Sequence, residues 1–325
     1  MYNKDEMILW SMLYSIVTNV GKMDILALSS KKLFILFRES SKLGINVFKS
    51  DYSEVIDLIN SLGEDKEYEK IKIFFGDFKL IDQLKKQVEV EKKIMDSKKI
   101  SFLTYYCPEY PKKLRESSLP PYVLYYMGEF PKEIEINNSM AIVGTRKPKN
   151  NTLEEFSESI VFYLKERKGF NIGGLAKGCD TLAHKAALKN GVKNIVILGQ
   201  GLGTKIYPRE NEDLSEKILK TGGVLISEIP PSLNVRSIYL LQRNRIQVYL
   251  SKDICILETG SKGGTITTLK NAIKEKKQIY IRNIKENYSI FNMKNINKLN
   301  YISSYKDIEY IEQLKKMSLF TIENV

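Results

Sequence analysis

Met140-Ala141-Ile142-Val143-Gly144-Thr145-Arg146-Lys147 opens the part of the chain that decides the fold. A short apolar run with no alternating polar face is the pattern of a strand covered on both sides, as in a parallel sheet. Gly144 allows a tight turn at its end, and a basic pair follows at once. A helical stretch is expected from about Leu153 to Arg167. The unit then recurs: strand Phe170-Asn171-Ile172 with Gly173-Gly174, helix Asp180 to Lys189, strand Asn194 to Leu198 with Gly199-Gln200-Gly201. Further strands are read at Gly223 to Ile226, Ile254 to Leu257 and Gln278 to Ile281. Strands alternating with helices predict an α/β fold with a Rossmann-like, doubly wound, mostly parallel sheet.

Toward the N-terminus the pattern changes. Ile100 to Tyr105 and Tyr122 to Tyr126 read as strands, separated by Pro108, Pro111, Pro120 and Pro121, which enforce extended or turn geometry. Before them, apolar residues recur at helical spacing in Met7 to Trp10 with Leu13, Ile16 and Val17. Ile25 to Phe37, Val55 to Ile59 and a charged run from about Lys79 to Met95 are further helical stretches. The expected organisation is a small helical N-terminal domain at 1–98 with three to five helices. An extension at 99–138 packs on the next domain. A Rossmann-like domain at 139–325 ends in a short helical tail near Asp307 to Lys316.

The chain has 325 residues, 43% of them hydrophobic and 28% charged, enough to bury a sizeable core. No run of about 18 apolar residues predicts a membrane span, and the charged start lacks the layout of a signal peptide. Three scattered cysteines, Cys107, Cys179 and Cys255, fit a reducing cytoplasm and form no disulfide frame or zinc motif. His184 is the single histidine, so no histidine pair for metal or acid–base work exists within one chain. Its place four residues after Asp180, inside an expected helix, favours a structural role over a Ser-His-Asp triad. The net charge is +12, which favours an anionic partner. That charge is concentrated: Ser139 to Asn283 holds 24 Lys and Arg against 13 Asp and Glu, and the other 180 residues hold 27 against 26. A uniform compositional bias toward lysine does not produce such a split.

In doubly wound sheets, ligands sit outside the carboxyl ends of the strands. Those ends here read Gly144-Thr145-Arg146-Lys147, Gly173 to Gly178 with Lys177, Gly199-Gln200-Gly201-Leu202-Gly203, and Glu258 to Thr265 with Lys262. Glycines let a phosphate approach backbone N–H groups, helix N-termini favour the anion, and lysine or arginine adds charge. Gly199-x-Gly201-x-Gly203 is a poor dinucleotide fingerprint, and Gly263-Gly264-Thr265 is not followed by the Lys-Ser/Thr of a Walker loop. Gln242-Arg243-Asn244-Arg245-Ile246, read as a helix start, places two arginines for phosphate contact.

These stretches together resemble the DNA-processing protein A family (DprA, also called Smf) over about residues 100 to 310. Ala141 to Pro148 is similar to its AIVGSRKP opening, and Gly174 to Asp180 with Ala183-His184 to its SGLARGID…AH. Leu198 to Leu202 with Tyr207-Pro208-Arg209-Glu210-Asn211, Ser227 to Pro231, Arg243 to Ile246 and Lys262 to Thr268 continue the match in order and spacing. The resemblance implies a protein that binds single-stranded DNA without sequence preference, protects it, and loads RecA recombinase during DNA uptake, natural transformation or recombination. It further implies a homodimer with no catalytic turnover and no cofactor. The family's phosphate-contacting positions carry over to Arg146, Lys177 and Lys262. Gly144, Gly174, Gly201 and Gly264 line the same rim, and Arg243, Asn244, Arg245 and Thr265 complete the candidate set. Thr145 stands where serine is usual, and Lys177 and Lys262 replace arginines, keeping charge but losing a bidentate fork. Gln242 replaces an arginine. The winged helix that ends many members has no counterpart in the roughly 40 residues after Asn283.

Two other readings remain. A nucleotide phosphoribohydrolase of the LOG type, on a related sheet, would use a glycine-rich loop followed by a catalytic glutamate. Ile266 to Ala272 contains none, leaving Glu258 or Glu228 as substitutes. The divergent helical N-terminal region instead suits a nucleotide-sensing or defence protein built on the same fold.

Overall fold

Five helices precede the first strand in the computed structural model, which describes residues 2–17, 28–292 and 299–322. They are α1 (Lys4–Val17), α2 (Ser30–Leu43), α3 (Tyr52–Leu62), α4 (Lys66–Gly76) and α5 (Phe78–Lys98). The local signals are direct. The Ser29 hydroxyl accepts from the Lys32 N–H at the start of α2, and Gly44 ends that helix in the left-handed region at φ 73°. The Asp65 carboxylate accepts from the N–H groups of Glu67 and Tyr68 and starts α4, a helix not separately legible in the sequence. Of the expected run from Ile25 to Phe37, Ile25, Leu26 and Ala27 lie outside the described residues.

The chain divides into two compact units. The first comprises residues 1–126 with two later segments, 199–204 and 227–240. It contains α1–α5, the strand β1 (Ser101–Thr104), the short helix α6 (Lys112–Arg115) and most of the strand β2 (Val123–Gly128), which pairs antiparallel with β1. Its core is aromatic. Trp10 is fully buried, stacks on Tyr122 at 5.5 Å and meets Tyr2, Phe37, Phe48 and Phe75 edge-on. The later segments are bonded in through the Glu91 carboxylate, which accepts from the Ser232 N–H at 2.9 Å, and the Tyr239 hydroxyl, which donates to the Ser15 carbonyl at 3.1 Å.

The second unit follows the βα pattern. After α7 (Glu133–Ile136) come β3 (Met140–Val143), α8 (Leu153–Glu166), β4 (Asn171–Gly173), α9 (Cys179–Lys189) and β5 (Asn194–Leu198). Then follow α10 (Glu212–Lys220), β6 (Val224–Ser227), α11 (Ser237–Leu250), β7 (Asp253–Ile256), α12 (Gly264–Lys274), β8 (Gln278–Arg282), β9 (Leu299–Ile302) and α13 (Tyr305–Ile322). The nine strands form a mostly parallel sheet in the order β1-β2-β6-β5-β4-β3-β7-β8-β9. Residues of β3, β4, β5 and β7 are buried throughout, as expected for strands covered on both faces. One face carries Met140, Ile142, Cys255 and Tyr280 under α8 and α9.

Strand order decides where a ligand can sit. From β3 the chain winds outward through β4, β5 and β6, then returns to the other side of β3 with β7. Crossovers on the two sides depart to opposite faces, so a crevice opens at the carboxyl ends of β3 and β7. β9, which pairs parallel with β8 at the edge of the sheet, was not expected from the sequence.

Because Phe37 packs on Tyr2, Trp10 and Tyr122 and is fully buried, Phe37→Ala is expected to cost about 3–5 kcal/mol. Trp10 is the single tryptophan, so its emission during urea unfolding reports the loss as a lower midpoint for the first unit.

Candidate functional site

Three loops meet at the crevice between β3 and β7. The loop after β3 is clamped between its neighbours: the Thr145 N–H donates to the Glu258 carbonyl at 2.7 Å, and the Cys179 N–H donates to the Thr145 carbonyl at 3.1 Å. Gly178, at φ 76°, lies against this loop so closely that a Cβ there would stand 2.5 Å from the Thr145 carbonyl oxygen. A Cβ on Gly144 would overlap the Cys179 thiol. Burial pushes that thiol up to about 12, which removes it as a nucleophile.

Glu258 is 3% exposed and supports the site from below. Its two carboxylate oxygens accept from the N–H groups of Lys149 (2.8 Å) and Asn150 (3.2 Å). That saturation argues against the hydrolytic role kept open for it. Glu228, the other substitute, belongs to the first unit and is buried there. α12 carries no carboxylate at all.

The Gly174–Gly178 turn is held in the same manner. Asp180 accepts from the N–H groups of Gly174 (2.9 Å) and Ala176 (3.4 Å), while Leu175 takes the left-handed conformation at φ 58°. Asn211 donates to the Leu175 carbonyl (2.9 Å) and to the Thr181 hydroxyl (2.8 Å). Arg243 lies beneath, 5% exposed, donating to the Gly174 carbonyl at 3.2 Å and standing 4.0 Å from the Asp180 carboxylate. Burial pulls its pKa below the ordinary arginine value; Asp180 opposes that, and the neighbouring Arg146 charge adds to it. A Cβ on Gly174 would overlap the Arg243 guanidinium, so glycine is required there.

The structure brings most of the expected residues to one rim, in differing roles. Arg146, Lys177 and Lys262 are exposed on the loops after β3, β4 and β7. Lys177 forms an ion pair with Glu210. Gly264 is exposed at the start of α12, and a Cβ on Gly263 or Gly260 would meet nothing within 4 Å. Thr265 is half-buried in the first turn of α12. Neither α9 nor α12 has a side-chain cap, Gly178 and Gly263 preceding them; α9 carries Asp180 in its first turn and gives its first N–H to Thr145, whereas the first turn of α12 has no acidic residue, which favours an anion there. The arginine stretch is corrected in position. It lies in the middle of α11, not at a helix start, because Ser237 to Leu241 already continue the helix. Arg243 and Asn244 are therefore buried, Asn244 donating to the Gly264 carbonyl at 3.4 Å, and Arg245 is half-buried, donating to the Gln242 carbonyl. Gly201 belongs to the first unit, where its N–H donates to the Leu233 carbonyl and it packs on Pro230 and Pro231.

Two supports went unread in the sequence. Arg282, at the end of β8, donates to Asn150 (3.2 Å) and Thr152 (2.5 Å). Asn287 accepts from the Thr259 N–H and donates to the carbonyls of Leu257 and Arg282. Arg282 carried a signal, a basic residue ending a strand; Asn287 carried none. Among the described residues, no group of three or more His, Cys, Asp or Glu is placed to hold a metal ion, and no helix is long and apolar enough to cross a membrane.

His184 is fully buried behind the rim. Its Nδ1 lies 2.8 Å from Asn194 Oδ1 and 3.1 Å from Asn171 Nδ2, so amide groups and not a carboxylate face that nitrogen. Burial holds its pKa below the ordinary value of 6.5. The folded state resists a proton that the unfolded chain accepts, so stability is full above about pH 6.5 and falls as pH drops below it. The expected slope is up to about 1.4 kcal/mol per pH unit, read by urea unfolding between pH 7 and pH 5. As the chain has one histidine, His184→Gln should flatten that segment of the profile.

A family model described as DNA recombination-mediator protein A matches residues 101–305. Protein Smf of Escherichia coli is 39% identical over 108 residues, 33% of this chain and 28% of that protein. DNA processing protein DprA of Streptococcus pneumoniae is 31% identical over 141 residues, 43% of this chain and 49% of that protein. The matched stretches thus span less than half the length of these two curated relatives. The solved structure of DprA from S. pneumoniae superposes with a TM-score of 0.70 at 19% identity, covering 95% of this chain and 98% of that one. DNA processing protein A from Helicobacter pylori, described for its single-stranded DNA binding mode, superposes with a TM-score of 0.56 at 22% identity, covering 67% of this chain and 96% of that one.

Proposed function

We propose, for a chain that belongs to the DNA recombination-mediator protein A family, that the rim at the β3–β7 crevice binds the phosphates of single-stranded DNA. The observation that carries this reading is the meeting of three exposed cations, Arg146, Lys177 and Lys262, with two helix N-termini preceded only by glycine. Such a rim offers charge and backbone N–H groups and no fixed pattern of side-chain donors and acceptors aimed at base edges. It therefore suits a sequence-independent track along a backbone. The buried residues Arg243, Asn244, Asp180 and Glu258 hold the loops that present the cations. Gly201, in the first unit, is left out of the contact set.

The family resemblance extends the proposal to protection of the strand, loading of RecA recombinase during recombination or DNA uptake, and a homodimeric state. The helical residues 1–98 are proposed as a domain of their own, ahead of the Rossmann-like part. The rim needs no chemistry for this work. A phosphoribohydrolase would need a free carboxylate at the start of α12, where the residues are Gly264-Thr265-Ile266-Thr267.

Fluorescence anisotropy of a labelled oligo-dT, with unlabelled duplex as competitor and a salt series, tests the reading. Binding should be salt-sensitive and resist duplex competition. Arg146→Ala and Lys262→Ala should each weaken it about 3- to 10-fold and lower the slope of log K against log salt by about 1. Absence of binding at low salt would sink the proposal.

A further inference from the structure

Resting on that reading of the rim, we propose that Glu210 competes with nucleic-acid phosphate for Lys177 and so attenuates the grip of the β4 loop. The Lys177 ammonium is engaged by the Glu210 carboxylate in an ion pair whose side chains are 57% and 63% exposed. The contact is built into the fold at its base. Glu210 lies in a single 3-10 turn, Arg209–Asn211, entered from the buried Pro208. The next residue, Asn211, is 5% exposed and donates to the carbonyl of Leu175, at the head of the Lys177 loop, and to the Thr181 hydroxyl just beyond it. The turn that carries the carboxylate and the loop that carries the cation are thus pinned together two residues from the ion pair.

The other two exposed cations differ. Among the described residues, neither Arg146 nor Lys262 has an acidic ion-pair partner, so their charge faces solvent uncompensated. A phosphate arriving at Lys177 must displace a carboxylate and then remain near it. An exposed ion pair is weak, so displacement is feasible and the effect is attenuation, not a block. The Lys177 ammonium also holds the Glu210 carboxyl below its ordinary range, so the competitor stays ionised wherever the phosphate is. The β4 loop contributes less than its charge alone suggests, and the chain carries the means to strengthen it by one substitution.

The test is Glu210→Gln, Lys177→Ala and the double variant, in oligo-dT anisotropy at low salt. Glu216→Gln serves as a control for net charge, because Glu216 lies on α10 beside Lys220. Glu210→Gln should tighten binding about 3- to 5-fold and steepen the salt dependence. In the Lys177→Ala background the gain should fall below about 2-fold, as should the gain from the control. Unchanged or weaker binding by Glu210→Gln, or an equal gain without Lys177, overturns the competition while wild-type binding still stands. Wild type and Glu210→Gln both silent overturn the DNA reading, and this proposal with it.

Discussion

The Arg243 guanidinium, buried against the Gly174 carbonyl with Asp180 at 4.0 Å, is the contact on which the geometry of the rim depends. A buried charge is costly unless it is paired and hydrogen-bonded. Here its partners are the turn itself and the carboxylate that ties that turn to α9. The arrangement admits no side chain at Gly174 and leaves the turn one conformation, with Leu175 left-handed. Glu258 does the same for the loop after β3, using both oxygens on backbone N–H groups. Buried carboxylates thus face inward and accept from loop amides, while Arg146, Lys177 and Lys262 are exposed above them, Lys177 beside the exposed Glu210.

Fixing the loops from beneath lets exposed cations coexist with a stable fold. The loops are fixed by local bonds and do not depend on the exposed cations, so Arg146 and Lys262 can meet a ligand without unmaking the loops, and Lys177 can do so by exchanging Glu210. It also assigns different consequences to similar residues. Removing Arg146 or Lys262 removes surface charge; removing Arg243 takes the cation from beside the buried Asp180 and a hydrogen bond from the Gly174 carbonyl. An arginine adjacent in sequence to the site is therefore not equivalent to one that faces it.

Much of this was legible beforehand. The short apolar runs ending in glycine predicted the parallel strands, because strands covered on both faces cannot alternate. The odd cysteine count, the single histidine and the uneven charge narrowed the function. The clearest gaps have physical causes. α4 is a short helix whose cap, Asp65, sits in a charged stretch with little periodic contrast. β9 lies at the sheet edge, with three of its four residues only half-buried, so its sequence lacks the continuous apolar run. The arginines of α11 were placed at a helix start because the apolar stretch Ile238 to Leu241, with exposed Ile238 and Leu241 around buried Tyr239, showed no clear helical face before them.

By itself the sequence determined the class of fold, the loops that carry glycine and cations, and the excess of positive charge around them, since these follow from hydrophobic pattern, backbone freedom and composition. Only the tertiary structure decided which side chains face the crevice. Whether Arg243 points out or in, whether Glu258 is free or filled, and whether Lys177 stands alone or against Glu210 depend on atoms contributed by segments 30 to over 100 residues apart. Such contacts leave no periodic trace in the chain, because each is one residue meeting one other across the fold.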